Sequence, residues 1–215
     1  AQMYTMGAVL RHGSEDQKQR YLPKIASGEL RLQTFGITEP TAGSDTTSIT
    51  TMAERKGDKY IINGQKIWQS RAEHSDLMLL LARTTPKDQV KKKTDGISLF
   101  LLDMKEQKEK GNLTIRPIDT MINHATTEIF FENAEVPVEN LIGEEGKGFR
   151  YVLSGMNAER ILIASESIGD GLYFVDKSVQ YANERVVFDR PIGQNQGVQF
   201  PISQSYMDIQ AAILM

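Results

Sequence analysis

The hydrophobic and polar positions divide the chain into three zones with different periods. Residues 3–28 have helical spacing, and residues 32–132 form short runs in which apolar and polar positions alternate. A helical period returns after the glycine-containing segment 143–148. The pattern therefore predicts helices at both ends of the chain and a β-domain between them, which is an α+β fold.

Two short helices are predicted at the start of the chain. The first covers residues 3–12 and stops at Gly13. Ser14 precedes Gln17 by three residues, which is the spacing of a capping box, so a second helix is predicted to begin there. Ser27-Gly28 supplies residue types that end such a helix.

The central zone predicts about eight strands. They cover residues 32–37, 47–56, 59–62, 65–69, 77–83, 97–103, 113–118 and 128–132. Asn63-Gly64 lies between two apolar runs and is typical of a type I′ turn, so a tight hairpin is predicted there. The charged segments 86–94 and 105–111 predict solvated loops. The Lys91-Lys92-Lys93 run in the first loop is either a solvated face, which we favour, or an anion site.

The last zone predicts one long helix and a further helix over residues 196–215. Apolar residues recur at spacings of three and four, which places them in one stripe along an amphipathic helix that needs partner helices. They are Ile161, Ala164, Ile168, Leu172, Val175, Val179, Ala182 and Val186. Gly146-Lys147-Gly148 matches no phosphate-binding motif and is interpreted as the entry into the long helix. Both ends of the chain fall within a periodic pattern, so we expect it to be part of a longer protein.

Composition narrows the possible functions. The 215 residues are 40% hydrophobic and 25% charged, as in a soluble globular chain of one or two domains. Lysine and arginine number 25 against 28 aspartate and glutamate, so the net charge of −3 provides no broad basic field for nucleic acid or an anionic membrane. No apolar run approaches the roughly 20 residues that a membrane helix needs, and the first residues form no leader.

Cysteine and histidine usage excludes further classes of site. The absence of cysteine rules out disulfides, thiolate zinc sites and thiol nucleophiles. His12, His74 and His124 are too scattered for a metal motif and lie in no hydrolase motif, so we predict no metal site and disfavour hydrolysis.

Two segments carry candidate chemistry. Residues 38–45 combine a proline turn, small residues and hydroxyl groups, which suits either a ligand site or a simple surface turn. Trp68 and Ser70 are two residues apart on one strand and therefore share a face. A planar heteroaromatic ligand stacks on an indole and bonds to a hydroxyl, although a strand tryptophan is more often part of a core.

These segments resemble signatures of the acyl-CoA dehydrogenase family of flavoproteins. The motifs are Thr38-Glu39-Pro40-x-Ala42-Gly43-Ser44-Asp45, Ile62-Asn63-Gly64-Gln65-Lys66-x-Trp68 and Arg185-x-x-Phe188-x-Arg190-Pro191-Ile192-Gly193-x-x-Gln196. The resemblance covers essentially the whole chain. It implies the end of an N-terminal helical domain at residues 1–32, a middle antiparallel β-barrel domain at 33–145, and the start of a C-terminal helical bundle at 146–215.

The resemblance also implies an FAD site. By similarity, Phe35 and Ile37 line the flavin, and Thr38 bonds to its pyrimidine edge. Trp68 packs on the isoalloxazine ring, while Ser70 approaches the reactive N5 side. These roles suit the side chains concerned.

Further cofactor contacts are implied at more distant positions. Gly43 and Ser44 meet the FAD pyrophosphate and the thioester ligand, respectively. Arg185, Phe188 and Gln196 resemble residues that reach the adenosine and pyrophosphate end of FAD in a neighbouring subunit. FAD binding then requires at least a homodimer, and a homotetramer is equally compatible.

The reaction implied by the resemblance is α,β-dehydrogenation of an acyl-CoA thioester to the 2-enoyl-CoA. Glu159 is the candidate base, because a carboxylate that loses water on substrate binding becomes more basic. The alternatives are a base in a later segment and a surface role for Glu159. Asn157 and Arg160, with Ser44, are the implied substrate contacts.

Two positions depart from the family pattern. Asp189 stands where many members have glycine, which could alter the adenosine contact. Gln69 stands where an apolar or small residue is common, and strand alternation predicts that its side chain points away from the flavin.

The resemblance further implies an electron-transfer flavoprotein as acceptor and a location in the bacterial cytoplasm or mitochondrial matrix, without secretion. Two alternatives remain open. The first is a flavin oxidase of the same fold that uses oxygen, and the second is a non-catalytic binding or assembly module.

Overall fold

The computed structural model describes residues 2–122 and 125–215, so the candidate His124 lies outside the described residues. The chain divides into two compact units, residues 1–156 and 157–215, which are described separately. Within the described ranges, no helix combines the length and apolar character needed to cross a membrane.

The first unit begins with helices α1 (Gln2–His12) and α2 (Glu15–Ser27). The capping box predicted for α2 is confirmed, because Gln17 N donates to Ser14 Oγ at 3.1 Å and Ser14 N donates to Gln17 Oε1 at 3.0 Å. The helix ends at Gly28, whose φ of 80° is the left-handed conformation that glycine adopts without strain.

In the described part of this unit, eight strands form one sheet. They are β1 (Leu32–Gly36), β2 (Met52–Lys56), β3 (Lys59–Ser70), β4 (Leu77–Arg83), β5 (Ile97–Asp103), β6 (Leu113–Pro117), β7 (Thr126–Pro137) and β8 (Leu141–Ile142). The strand order is β6-β7-β3-β2-β4-β5-β8, and β1 also pairs with β4.

The prediction of an antiparallel barrel is corrected by this sheet. Strands β1 and β2 both run parallel to β4, so the sheet is mixed. Among the described residues the end strands β6 and β8 pair only with β7 and β5, so the sheet is not closed. Alternating polarity identifies strands but carries no information about their direction, which is why the pattern did not predict the parallel pairs.

The hairpin predicted at Asn63-Gly64 is wrong. Both residues lie inside the continuous strand β3, and the turn that joins β2 to β3 is Gly57-Asp58. Gly64 has a φ of 149°, and a Cβ there would lie 2.5 Å from Thr51 Oγ1 and 2.8 Å from Thr51 Cα. This glycine therefore permits close approach of a neighbouring segment at a register shift and does not form a turn.

The segment 105–111, predicted as a solvated loop, instead contains a short helix, α3 (Met104–Glu109). Asp103 Oδ1 accepts the Glu106 backbone N–H at 2.9 Å and caps its first turn. Met104 and Gln107 are buried, so one side of the charged segment faces the protein interior. The other predicted loop, 86–94, has a single short turn of helix and exposed lysines at positions 91–93.

The core lies on both faces of the sheet. In β4, Met78 and Leu80 belong to one buried cluster and Leu79 and Leu81 to the other. The second cluster also contains Ala8, Val9 and Ile25. Helices α1 and α2 therefore cover one face of the sheet.

The long helix α4 (Gly148–Glu184) begins in the first unit and continues into the second. The second unit also contains β9 (Val186–Val187), β10 (Arg190–Pro191) and α5 (Gln196–Ile213). The predictions of a long helix and a later helix are confirmed, except that Val186 belongs to β9. A Cβ on Gly171 would lie 3.0 Å from Ile209 Cδ1, so α4 and α5 pack closely there.

Candidate functional site

Two neighbouring segments of the first unit carry the predicted flavin contacts. Ile67 N donates to Thr38 O at 2.9 Å, and Thr34 Oγ1 donates to Ser70 O at 3.2 Å. These hydrogen bonds join the end of β1 to the end of β3 on either side of Trp68. The two segments carry Phe35, Ile37, Thr38, Trp68 and Ser70.

Trp68 is displayed on the surface by a local irregularity of β3. Its φ is 62°, its exposed fraction is 57%, and the register with β7 shifts between Lys66 and Gln69. Ser70 is exposed as well, whereas Gln69 is buried and donates from Nε2 to Ile67 O at 2.7 Å. The indole is therefore not part of the core, and the side chain between Trp68 and Ser70 faces the interior.

The segment 38–45 is a tightly bonded turn. Glu39 and Ala42 exchange backbone hydrogen bonds of 3.0 and 3.1 Å around Pro40-Thr41. Ala42 is buried, while the following Gly43 and Ser44 are exposed. The backbone and hydroxyl groups of these last residues are therefore available to a ligand on a fixed support.

A buried ion pair holds this turn against β3. Lys66 Nζ lies 2.8 Å from Glu39 Oε1 and donates to Ile37 O, also at 2.8 Å. Glu39 Oε2 accepts from Thr50 N at 2.6 Å and Thr50 Oγ1 at 2.8 Å, and Glu39 Oε1 accepts from Thr51 N at 3.0 Å. The side chains of Lys66 and Glu39 are 0% and 2% exposed.

Burial and charge act in opposite directions on this pair. Burial lowers the pKa of the Lys66 ammonium to about 8, against the attraction of Glu39. Burial alone raises the pKa of Glu39, but the Lys66 charge and the hydrogen bonds from Lys66, Thr51 and Thr50 outweigh it and hold that pKa below its usual value of 4.5. Glu39 is thus a carboxylate and Lys66 largely an ammonium at neutral pH.

Asp45 fixes the end of the turn. Its carboxylate accepts hydrogen bonds from the hydroxyls of Ser48 and Thr47, which lower its pKa, and nearby Lys87 and Lys93 lower it further. The exposed pair Gly43 and Ser44 is therefore anchored on both sides.

The buried Arg83 fixes the chain beyond this turn. Its Nε donates to Ile49 O at 2.9 Å, and its Nη2 donates to Thr47 O at 2.6 Å and to Lys93 O at 3.3 Å. One guanidinium thereby ties the segment after Ser44 to the lysine-containing loop.

The predicted base and two of the three predicted substrate contacts, Asn157 and Arg160, lie on α4 in the second unit. Arg160 Nη1 donates to Asn157 Oδ1 at 2.7 Å, one turn of helix away. Both side chains are exposed, and Glu159 is half-buried. The helix therefore places a carboxylate next to an amide and guanidinium pair.

The remaining predicted cofactor contacts surround a hairpin in the second unit. Phe188 and Asp189 form the two-residue turn between β9 and β10, with φ values of 51° and 60°. Positive φ at both positions is the pattern of a type I′ turn. Phe188 is 93% exposed at its tip. Arg185 and Gln196 flank the hairpin and are exposed. The carbonyl of Arg185 accepts a hydrogen bond from Ile192 N.

No metal centre is found in the parts of the chain that the structure describes, since no group of three or more histidine, aspartate or glutamate side chains could hold an ion there. His12 instead hydrogen-bonds Ser154 Oγ at 2.7 Å, and His74 lies in the short turn after β3.

Sequence reasoning assigned no role to Glu39 or Lys66, although both lie in the quoted motifs. A signal was present in β3, where Tyr60 and Ile62 are buried and alternation places Lys66 on the same side. A lysine on an inward position needs a partner, and Glu39 was one of the two acidic residues of the neighbouring motif.

The arrangement suits a planar heteroaromatic ligand. The exposed indole of Trp68 offers an apolar face, and Thr38 and Ser70 offer hydroxyl groups on the adjoining segments. Because the turn is bonded to the sheet through Glu39 and Lys66, these groups are held in place before a ligand arrives.

Comparison with protein families matches most of the chain. Residues 1–29 match the model "Acyl-CoA dehydrogenase, N-terminal domain", residues 34–134 match "Acyl-CoA dehydrogenase, middle domain", and residues 146–215 match "Acyl-CoA dehydrogenase, C-terminal domain".

Individual proteins agree with these matches. An acyl-CoA dehydrogenase of Bacillus subtilis (strain 168) is 37% identical over 95% of this chain and 52% of its own length. A mitochondrial isovaleryl-CoA dehydrogenase of Oryza sativa subsp. japonica is 35% identical over 95% of this chain and 48% of its own. The crystal structure of an acyl-CoA dehydrogenase from Geobacillus kaustophilus superposes with a TM-score of 0.85 at 35% identity, covering 96% of this chain and 53% of that one. The chain spans about half the length of the curated relatives it matches.

Proposed function

The chain belongs to the acyl-CoA dehydrogenase family, and on that premise we propose that the end of β1 and the end of β3 form the flavin face of an FAD site. The observation that carries this proposal is the exposed Trp68, bracketed by the hydrogen bonds that join β3 to the Thr34–Thr38 segment. The family consists of flavoprotein oxidoreductases, and this donor set fits a flavin.

Each residue of the face has a role that its position allows. Trp68 packs on the isoalloxazine ring, and Phe35 and Ile37 line the flavin from β1. Thr38 bonds to the pyrimidine edge, and Ser70 approaches the N5 side. Support comes from the exposure of Trp68 and Ser70 and the half-burial of the three β1-side residues.

The remaining contacts extend the site in two directions. Gly43 contributes backbone to the FAD pyrophosphate and Ser44 its hydroxyl to the thioester ligand. Arg185, Phe188 and Gln196 reach the adenosine and pyrophosphate end of FAD bound by a neighbouring subunit. The exposure of Phe188 at the tip of a hairpin supports an intermolecular role for it.

We propose that the whole protein oxidises an acyl-CoA thioester to the 2-enoyl-CoA. Glu159 removes the α-proton as a carboxylate base, and Asn157 and Arg160 contact the CoA part of the substrate. FAD held by the residues of the flavin face would supply the acceptor for the β-hydrogen, which leaves as hydride. An electron-transfer flavoprotein is the proposed electron acceptor. The proposed location of the protein is the bacterial cytoplasm or the mitochondrial matrix, and its proposed oligomeric state is a homodimer or homotetramer. We also propose that the N-terminal helical domain ends at residue 32, that the middle domain ends at residue 145, and that the C-terminal helical domain begins after it.

The test is to add short-chain or long-chain acyl-CoA to the FAD-loaded protein without oxygen and to measure reduction of the flavin from its visible absorbance. If acyl-CoA removes the flavin absorbance band of the unaltered protein but not that of the Glu159→Gln variant, the result supports Glu159 as the base. Glu166→Gln is the matched control, because Glu166 is an exposed glutamate on the same helix. Normal reduction of Glu159→Gln would place the base elsewhere, and rapid reoxidation by air would favour the oxidase.

A further inference from the structure

The ion pair of Glu39 and Lys66 is buried, so both of its charges are removed from water on folding. Removing two charges from water carries a large desolvation penalty, and replacing such a pair by apolar residues is often neutral or stabilising. Both side chains are essentially inaccessible here. Global stability is therefore a poor explanation for an ion pair at this position.

The location of the pair offers another explanation. Lys66 Nζ donates to the carbonyl of Ile37, one residue before Thr38. In a trans peptide the carbonyl oxygen and the following N–H point in opposite directions. A carbonyl held towards the buried ammonium therefore turns the Thr38 N–H away from it, on the other side of the segment.

We propose that Glu39 and Lys66 are positioning residues that orient the Ile37–Thr38 peptide for the flavin. This inference rests on the function proposed above. Glu39 does not touch the flavin, and it acts by holding Lys66.

Glu39 connects this peptide to the main sheet. Its carboxylate accepts two hydrogen bonds from Thr50 and one from Thr51, the residues that immediately precede β2. Thr51 is in turn adjacent to Gly64 of β3. The peptide is thus located by contacts with β3, through Lys66, and with the residues that precede β2, through Glu39.

A double variant separates positioning from folding. Lys66→Met or Glu39→Gln alone leaves one buried charge without its partner and is expected to destabilise the fold strongly. The double variant Glu39→Gln/Lys66→Met removes both charges of the pair, and the glutamine oxygen still accepts from Thr50. The buried Arg83, which Glu39 also attracts, keeps its hydrogen bonds to Ile49 O and Thr47 O. The double variant is therefore expected to fold and to lack the donor to Ile37 O, with an unfolding midpoint below that of the unaltered protein because Arg83 loses the attraction of Glu39.

The measurement is FAD affinity by titration, together with the shape of the bound flavin absorbance band and the urea unfolding midpoint. For the double variant we expect about tenfold weaker FAD binding and a changed band, as for loss of one oriented hydrogen-bonding group. The control is Glu54→Gln/Lys56→Met, which removes an exposed pair of the same residue types on β2. The control should match the unaltered protein in every readout.

The outcomes are distinguishable. A folded double variant that binds FAD with unchanged affinity and spectrum would overturn the positioning role and leave the proposed function standing. Failure of the unaltered protein to bind FAD would overturn both. If the double variant does not fold, Thr50→Val replaces it, because it removes one hydroxyl donor to Glu39 and retains the ion pair. About threefold weaker FAD binding is then expected, and no change would contradict the proposal.

Discussion

Left-handed backbone conformations occur on both sides of Ser70. Trp68 has a φ of 62° and Arg71 a φ of 60°, and neither residue adopts this conformation without cost. The penalty is roughly 1–2 kcal/mol for each. Arg71 is held by donation from its Nε to Gln33 Oε1 at 2.8 Å and from its N–H to Ala125 O at 2.7 Å. Strain supported by specific contacts is characteristic of functional sites, which agrees with the proposed role of Ser70.

The close approach at Gly64 gives a prediction at a single position. Gly64→Ala places a methyl group against the Thr51 side chain and backbone, at a φ that alanine avoids. We expect the free energy of unfolding to fall by about 3 kcal/mol, measured by urea denaturation.

Gly57→Ala is the control for this experiment. Gly57 has a φ of 65° but nothing within 4 Å of its Cβ position, so only backbone strain of about 1 kcal/mol is expected. Equal losses in the two variants would show that close approach at Gly64 is not the reason for its glycine.

The motifs predicted the residues of the proposed flavin face but not the buried pair that supports them. The exposure of Trp68 was not evident, because a tryptophan on an alternating strand is usually buried. Its display depends on the bulge between Lys66 and Gln69, which is set by pairing with β7, about 60 residues away along the chain. Local patterns contain no information about such a partner.

At the level of elements, sequence patterns predicted correctly those features that depend only on residues close together in the chain. The capping box of α2 and the bounds of β4 and β5 follow from neighbouring residues and were predicted correctly. The hairpin prediction at Asn63-Gly64 was wrong because this dipeptide is compatible both with a type I′ turn and with an irregular position inside a strand. The turn formed instead at Gly57-Asp58, which also allows a two-residue connection.

The hairpin between β9 and β10 gives the prediction at this scale. Phe188 occupies the first central position of the turn at a φ of 51°, where asparagine is strongly preferred. Phe188→Asn is expected to raise the free energy of unfolding of the second unit by about 1 kcal/mol, because asparagine tolerates the left-handed conformation better than phenylalanine. The measurement is urea denaturation monitored by circular dichroism. The substitution should also weaken FAD binding in the assembled protein.

The matched control is Phe200→Asn, since Phe200 is also exposed but lies in helix α5. This control should not gain stability, because asparagine is not favoured inside a helix. A loss of stability in Phe188→Asn would mean that the phenyl ring makes stabilising contacts that outweigh the strain of the turn.

For the whole molecule, the family relationship explains why three kinds of segment occur in one chain. Matches to the N-terminal, middle and C-terminal domains follow one another in the order of the predicted zones. The helical ends and most strands of the sheet could be predicted from periodicity, although the predicted strands 59–62 and 65–69 form the single strand β3 and β8 was not predicted. The mixed and open character of the sheet could not, because β1 and β2 pair with β4 across intervening segments whose path no local pattern records.

The proposed flavin face can be tested through its central residue, since Trp68 is the only tryptophan of the 215 residues. Intrinsic tryptophan fluorescence therefore reports on that position alone. We predict that titration with FAD quenches this fluorescence saturably, with the same midpoint as the change in flavin absorbance, because a stacked flavin lies against the indole. FAD binding that leaves the fluorescence of Trp68 unchanged, or no binding at all, would contradict the assignment of the β1–β3 surface as the flavin site.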